Sequence, residues 1–220
     1  MLVSGALSLT PSAAGGAVDW GGDRGMWAGG YVVGWSKSNV VDYITISSPS
    51  NATDFGNLST SSFGVGALSN GSRACFGGGN PAGDTIDYFT ISTTSNSSDF
   101  GNLTESRWSL RGCGDGTKGL WAGGFNGGYK DTIDYVTVAT TGNALDFGNL
   151  TIGGTDIGAC SDGTKGVFGG GYRSANSNVI DYVTIATTGN ATDFGDLSIG
   201  RQKITAEADF TRGVFIGGND

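Results

Sequence analysis

Acidic side chains recur at fixed positions along this chain, which limits the chemistry that they could perform. The chain contains no His, which excludes imidazole bases, His-ligated metals and Ser–His triads. Carboxylate pairs of the kind that hydrolyse glycosidic bonds remain possible. The repeated aspartates are Asp42, Asp87, Asp134, Asp181, Asp54, Asp99, Asp146 and Asp193. Because a residue present in every repeat normally serves the fold, we expect these carboxylates to bond to backbone groups and predict no catalytic residue, cofactor or metal.

A basic residue also recurs, directly after one turn of each repeat. The five residues are Arg24, Arg73, Lys118, Lys165 and Arg212. In three repeats an aspartate stands three positions earlier, at Asp115, Asp162 and Asp209. One interpretation is an exposed salt bridge within the turn, which contributes little energy. The other is a ring of five cations that binds an anion on that face of the molecule.

Internal repeats of about 47 residues organise the chain. An aromatic–x–Gly–Gly element occurs five times, at Trp27, Phe76, Trp121, Phe168 and Phe215. The composition, with 42 Gly and 37% hydrophobic residues, combines many turns with enough apolar surface for a core. Each repeat holds four strand-like pieces, which we name A, B, C and D and which lie, toward the end of the chain, near 203–208, 213–217, 179–187 and 192–198. An Asp-Gly pair between A and B, as at Asp115 and Asp162, is a strong hairpin signal. Four antiparallel strands per radial repeat predict an all-β protein with the blades of a β-propeller.

Counting strand A predicts five blades in a single domain of residues 1–220. The blades begin near residues 16, 63, 108, 156 and 203, so the fifth is shared between residues 1–10 and 203–220. The segment Leu2–Leu9 is expected to pair beside the last strand B, Gly213–Gly217, which closes the ring and hides its open edges. The fifth blade then has three or four strands. The alternative is a fragment of a longer propeller that dimerises to complete its ring.

The repeats resemble those of kelch propellers. The resemblance rests on Val167–Tyr172, on the strand that reaches Asp181, and on Arg201 after Phe194, which stands where kelch repeats carry Trp. Residues 180–197 also resemble repeats in virion structural proteins of marine tailed bacteriophages. The resemblance implies a non-catalytic binding or display module on the surface of a virion, outside the cell.

Residues that differ between repeats are the candidates for ligand contact, because variable loops on a uniform scaffold usually carry binding. The B-to-C and D-to-A connections should emerge on one face of the propeller. Aromatic rings and guanidinium groups there suit sugar stacking or a protein hot spot. The candidates are Tyr31, Trp35, Arg107, Trp108, Phe125, Tyr129, Tyr172, Arg173 and Arg201.

The net charge of −8 disfavours binding to nucleic acid or to an anionic membrane surface, and no apolar run is long enough to span a membrane. No secretory signal is recognised at the N-terminus. The expected partner is a host cell-surface glycan or protein. The alternatives are a purely structural virion protein that contacts other virion chains and, more distantly, an enzyme acting on polysaccharide.

Overall fold

The computed structural model describes residues 23–81, 83–209 and 211–220, which form β-strands joined by turns and loops. Within these residues there are no helices, and thus none that could cross a bilayer. The strands are β1 (Arg24–Ala28), β2 (Val40–Thr45), β3 (Thr53–Asn57), β4 (Gly66–Ser69), β5 (Arg73–Gly77), β6 (Thr85–Thr90), β7 (Ser98–Asn102), β8 (Arg111–Gly114), β9 (Lys118–Ala122), β10 (Thr132–Thr137), β11 (Leu145–Asn149), β12 (Gly158–Ser161), β13 (Lys165–Gly169), β14 (Val179–Thr184), β15 (Thr192–Asp196), β16 (Thr205–Ala208) and β17 (Gly213–Ile216).

The described strands form five antiparallel sheets in chain order. β1 to β3 make the first, the next three sheets have four strands each, and β16 pairs with β17 in the last. The A strands of neighbouring sheets, β4, β8, β12 and β16, lie side by side. The all-β prediction is confirmed, and this arrangement is consistent with a β-propeller whose A strands are innermost. The predicted first strand A near 16–20 and the segment Met1–Thr10 lie outside the described residues.

Three A-to-B turns form because an aspartate satisfies the backbone locally, and in two of them Gly follows the aspartate. The Asp115 carboxylate accepts hydrogen bonds from the backbone N–H groups of Thr117 and Lys118 at 2.8 and 2.7 Å. Gly116 takes the left-handed conformation that the turn needs, with φ +83°. Asp162 and Asp209 make the same two bonds in their turns. The predicted hairpin signal is therefore confirmed.

A bulge shapes the pairing of strands C and D. In the third blade the register shifts between Ile133 and Asp134. The Asp146 carboxylate accepts a hydrogen bond from the backbone N–H of Gly148 at 3.0 Å, and the corresponding aspartates of the other D strands do the same. These carboxylates serve the backbone, as the sequence analysis predicts for them.

The core lies between the sheets, in three clusters that each join two neighbouring blades. The phenylalanine of each D strand meets the tyrosine of its own strand C edge to face, with centroids 5.5 to 5.9 Å apart. Those of the first three D strands also pack against strand C of the following blade, as Phe55 does against Phe89 at 5.6 Å. The repeated aromatics therefore hold successive blades together.

Candidate functional site

Paired backbone bridges join the B-to-C and D-to-A connections on one face of the molecule. Trp108 and Phe125 exchange two backbone hydrogen bonds of 3.1 and 2.8 Å, and Thr155 and Tyr172 do the same in the next blade. Phe63 pairs with Asn80 in the second described sheet and Gln202 with Asn219 in the last. Each bridge fixes the position of two side chains. The scaffold therefore presents variable residues at equivalent places in successive blades.

Seven aromatic side chains of these connections form one continuous row. We call them the aromatic row: Trp35, Tyr31, Phe63, Trp108, Phe125, Tyr129 and Tyr172. Tyr31 stacks on Phe63 with a centroid distance of 4.7 Å, and each of the following neighbours meets the next at 5.3 to 5.6 Å. Trp35 meets Tyr31 at 5.7 Å. Six of the seven belong to the set that the sequence predicts, and the structure brings them together across four blades.

The aromatic row is open to solvent along its length. Trp35 is 82% exposed, Tyr31 41% and Tyr129 39%, while Phe63, Trp108, Phe125 and Tyr172 are partly exposed. Exposed contiguous apolar surface rimmed by polar groups is typical of an interaction site. The row thus offers flat ring faces and edges that a partner could cover.

The loop from Tyr31 to Lys37 projects the end of this row into solvent. Its tip is closed by backbone hydrogen bonds from Val32 to Ser36 and from Trp35 to Val32 at 2.9 and 3.1 Å. Trp35 has φ +64°, a left-handed conformation that disfavours a large side chain. Neighbouring Val33 is 95% exposed. An ordered loop that holds strained, exposed apolar residues at its tip is a feature of binding sites.

Polar groups lie between the rings. The Lys37 ammonium donates a 2.6 Å hydrogen bond to the Asn80 side chain and lies 5.6 Å from the centre of the Phe63 ring. Lys130, next to Tyr129, forms a 2.6 Å ion pair with Glu105. These groups supply donors and acceptors beside the aromatic surface, which is the combination that orients a polar ligand.

Glu105 is a poor candidate for a general acid. Partial burial raises its pKa, but hydrogen bonds from Lys130 and Thr132 outweigh that effect and leave the pKa below its ordinary value. A general acid needs a raised pKa. Within the described residues, no group of three or more His, Cys, Asp or Glu side chains is placed to hold a metal ion.

The three predicted arginines do not present free guanidinium groups on this face. Arg107 is 1% exposed and donates to Asp134 at 2.8 Å and to the carbonyl oxygens of Thr132 and Trp121. Arg173, whose side chain is 5% exposed, lies 3.8 Å from Asp181. Arg201 donates to the Phe215 carbonyl. Because these guanidinium groups bond within the fold, we leave the three arginines out of the proposed contact surface.

Three of the five repeated basic residues join neighbouring blades. Arg24 donates to the Ile91 carbonyl of the second blade at 2.6 Å and lies 4.7 Å from the centre of the Tyr43 ring. Arg73 and Lys118 likewise each donate to a carbonyl of the blade that follows their own, and each lies over the tyrosine ring of its own blade. Lys165 lies over the Tyr182 ring, and Arg212 is exposed. The interpretation as a turn salt bridge is wrong, because among the described residues no ion pair joins these cations to their turn aspartates. In a ring of five cations, Arg24, Arg73 and Lys118 would already be bonded to carbonyl groups of the following blade.

The aspartates of strand C also act between blades, which the sequence analysis does not predict. Asp181 accepts hydrogen bonds from the backbone N–H and the hydroxyl of Thr151, which belongs to the preceding blade, at 3.1 and 2.6 Å. Asp87 and Asp134 accept in the same way. The signal in the sequence is a Leu-Ser or Leu-Thr pair at constant spacing after Asp-Phe-Gly, at Leu58, Leu103 and Leu150.

The three cysteines are buried free thiols, as expected for small core residues. Burial raises the pKa of Cys75 to about 12 and that of Cys160 to about 11, and it also raises the pKa of Cys113. A thiol that stays protonated is a poor nucleophile. These residues therefore offer no reactive site.

No protein-family model and no curated protein sequence matches this chain.

Proposed function

We propose that this protein is a non-catalytic binding module of a virion surface, and that the aromatic row contacts a glycan or protein of the host cell. The observation that carries the proposal is the continuity of seven partly exposed rings across four blades. Aromatic rings give large contact area at low cost in conformational entropy. The assignment to a virion and a host cell rests on the resemblance to phage repeats, and this resemblance is an analogy of fold.

The aromatic row favours an extended partner. Its rings follow one another from blade to blade, so a single small molecule would cover only two or three of them. Lys37 and Asn80 at one end, and Lys130 with Glu105 further along, offer polar contacts to hydroxyl or amide groups. A surface polysaccharide or an exposed segment of a cell-surface protein meets these requirements.

A purely structural role in the virion is the second candidate. The exposed apolar tip at Val33 and Trp35 would then dock against another virion chain. Obligate association with that chain would favour this role, whereas a soluble, monodisperse propeller that binds cells favours the first. An enzyme acting on polysaccharide is a more distant alternative, because the raised-pKa acid it requires is not Glu105.

Replacing Trp35 and Tyr172 with Ala together is expected to weaken binding of the labelled protein to intact marine bacterial cells at least about tenfold. Truncation of anchoring aromatic residues commonly costs this much or more. Leu145→Ala is the matched control, because Leu145 is an exposed apolar residue near the C-to-D turn on the opposite face. Equal binding of both variants, or no saturable binding by the folded protein, would contradict the proposal. Periodate and protease treatment of the cells would distinguish glycan from protein.

We further propose that the propeller has five blades and that residues 1–10 help to complete the fifth. The Asp42 carboxylate is exposed, whereas Asp87, Asp134 and Asp181 are buried. The donors that reach these three aspartates each follow a leucine and stand 14 positions before the basic residue of the next repeat: Ser59, Thr104 and Thr151. Thr10 follows Leu9 and stands 14 positions before Arg24. Thr10 is therefore the natural donor to Asp42.

A double-mutant cycle tests this closure. Thr10→Val and Asp42→Ala are expected to be coupled by about 1 kcal/mol in the free energy of unfolding, because each removes one partner of the same hydroxyl–carboxylate hydrogen bond. The cycle of Ser59→Ala with Asp87→Ala serves as the reference, since that contact is formed at 2.9 and 3.0 Å. Additive effects of the first pair, beside a coupled reference pair, would exclude the closure.

A further inference from the structure

The last described sheet ends at its second strand. In every other described sheet, strand B pairs antiparallel with a strand C. Within the described residues, β17 pairs only with β16, and its side chains Val214 and Ile216 are 53% and 51% exposed. A strand edge with unpaired backbone groups is a template for another strand.

The fourth blade exposes the surface that strand C of a following blade would cover. Phe194 is 59% exposed, whereas Phe55, Phe100 and Phe147, at the same position in earlier blades, are each 2% exposed. Phe147 shares a core cluster with Val183 and Ile185 of the next strand C. Because no described strand C follows β17, Phe194 lacks the partner that its three counterparts have.

Arg201 and Ser198 also lack, among the described residues, the contact with a following strand C that their counterparts make. Arg201 repeats the position of Arg107 and donates to Phe215 as Arg107 does to Trp121. Arg107 also has Asp134, whereas Arg201 has no described carboxylate. Ser198 follows Leu197 as Thr151 follows Leu150.

Lys165 also differs from its counterpart in the preceding blade. Its counterpart Lys118 donates to the carbonyl oxygens of Ile185 and Ala186, at the end of strand C in the next blade. The described contact of the Lys165 ammonium is with the Tyr182 ring of its own blade. An acceptor at the end of a further strand C would give Lys165 the bonds that Lys118 makes.

We propose that β17 and the exposed face of the fourth blade bind an extended polypeptide strand that carries the side-chain pattern of a strand C. The strand adds antiparallel to β17 and carries an aspartate for Arg201 and Ser198, followed two residues later by an apolar side chain for Phe194. Its carbonyl groups four and five residues after the aspartate accept from Lys165. The pattern is that of Asp181, Val183 and Ile185 in strand C of the fourth blade. Recognition is by strand addition.

Residues 1–10 lack the aspartate that this strand carries. They contain no Asp or Glu, so Arg201 and Ser198 would remain without a carboxylate. Leu9 and Thr10 also match the end of a strand D, and strand D runs parallel to strand B in the complete blades, because both pair antiparallel with strand C.

A synthetic peptide with the sequence of residues 178–187, labelled with fluorescein, tests the proposal on the full chain. Fluorescence anisotropy is expected to show saturable binding. The same peptide with Asp181→Asn is expected to bind at least about tenfold more weakly, since it loses the charge opposite Arg201. Phe194→Ala in the protein is expected to reduce affinity by a similar factor. Because the Phe194 side chain is exposed, this substitution leaves the packed core intact.

Trp35→Ala is the control variant, because Trp35 lies on the aromatic row and outside the proposed strand site. Unchanged peptide binding by Trp35→Ala separates this site from the proposed cell-binding surface. Either proposal can therefore be contradicted without the other. Absence of peptide binding would overturn the proposal, as it would mean that residues of the chain already fill the edge. Equal affinity for the Asp and Asn peptides, or no effect of Phe194→Ala, would also overturn it.

Discussion

Arg107→Ala is expected to lower the free energy of unfolding by about 3–5 kcal/mol, because it leaves the buried carboxylate of Asp134 without its cation. The Arg107 guanidinium and the Asp134 carboxylate are both fully buried and lie 2.8 Å apart. Burial raises the pKa of Asp134 and lowers the pKa of Arg107, so each charge depends on the other. Denaturant unfolding of the purified variant gives the value directly.

Arg201→Ala is the matched control for this prediction. Arg201 repeats the position of Arg107 and its bond to a strand B carbonyl, but it faces no described carboxylate. Its loss should therefore cost only about 1 kcal/mol, the net contribution of a hydrogen bond. A loss in Arg107→Ala no larger than that in Arg201→Ala would show that the ion pair with Asp134 does not stabilise the blade.

Gly148→Ala is expected to destabilise the protein by about 3–5 kcal/mol, since two costs combine. Gly148 has φ +144°, a conformation that an L-residue adopts only with strain of about 1–3 kcal/mol. A Cβ there would lie 2.4 Å from the Gly189 carbonyl oxygen of the next blade. Relief of that clash would separate the two blades and break the hydrogen bonds that Gly189 and Ala191 donate to Phe147 and Asn149.

Gly195→Ala separates the two costs. Gly195 has nearly the same backbone conformation, with φ +134°, but a Cβ there would have no described atom of another blade within 4 Å. This variant should therefore carry the strain alone, about 1–3 kcal/mol. Thermal or denaturant unfolding of both variants gives the difference. Equal destabilisation would mean that the contact with Gly189 contributes nothing to the join between blades.

The strands could be predicted from the sequence because their causes are local. Asp-Gly turns, β-branched residues and alternating side chains determine where each strand begins and ends, and the predicted strand C near 179–187 matches β14 at Val179–Thr184. The partner of each cation could not be found in this way. Lys118 bonds to Ile185, far along the chain, whereas the nearby carboxylate of Asp115 accepts from the backbone of the turn.

In the candidate site, too, the local features could be predicted from the sequence, whereas the contacts between distant segments could not. Variation between repeats identifies Trp35, Trp108 and Tyr172 as loop residues, but their contact in one row depends on backbone bridges between loops that are distant in sequence. Arg107 varies between repeats just as they do, yet it is buried against Asp134. Phe63, which the prediction omits, occupies in its blade the position that Trp108 occupies in the next.

The contacts between described blades have a direction. Donors at Ser59, Thr104 and Thr151 and cations at Arg24, Arg73 and Lys118 all reach forward to the following blade. Such an interface is heterologous, with a different surface on each side, and a heterologous interface does not itself fix the number of units that it joins. Duplication or loss of one whole repeat would preserve every contact type. Blade number can therefore change by recombination between near-identical repeats, while the variable loops that each blade carries are gained or lost as a unit.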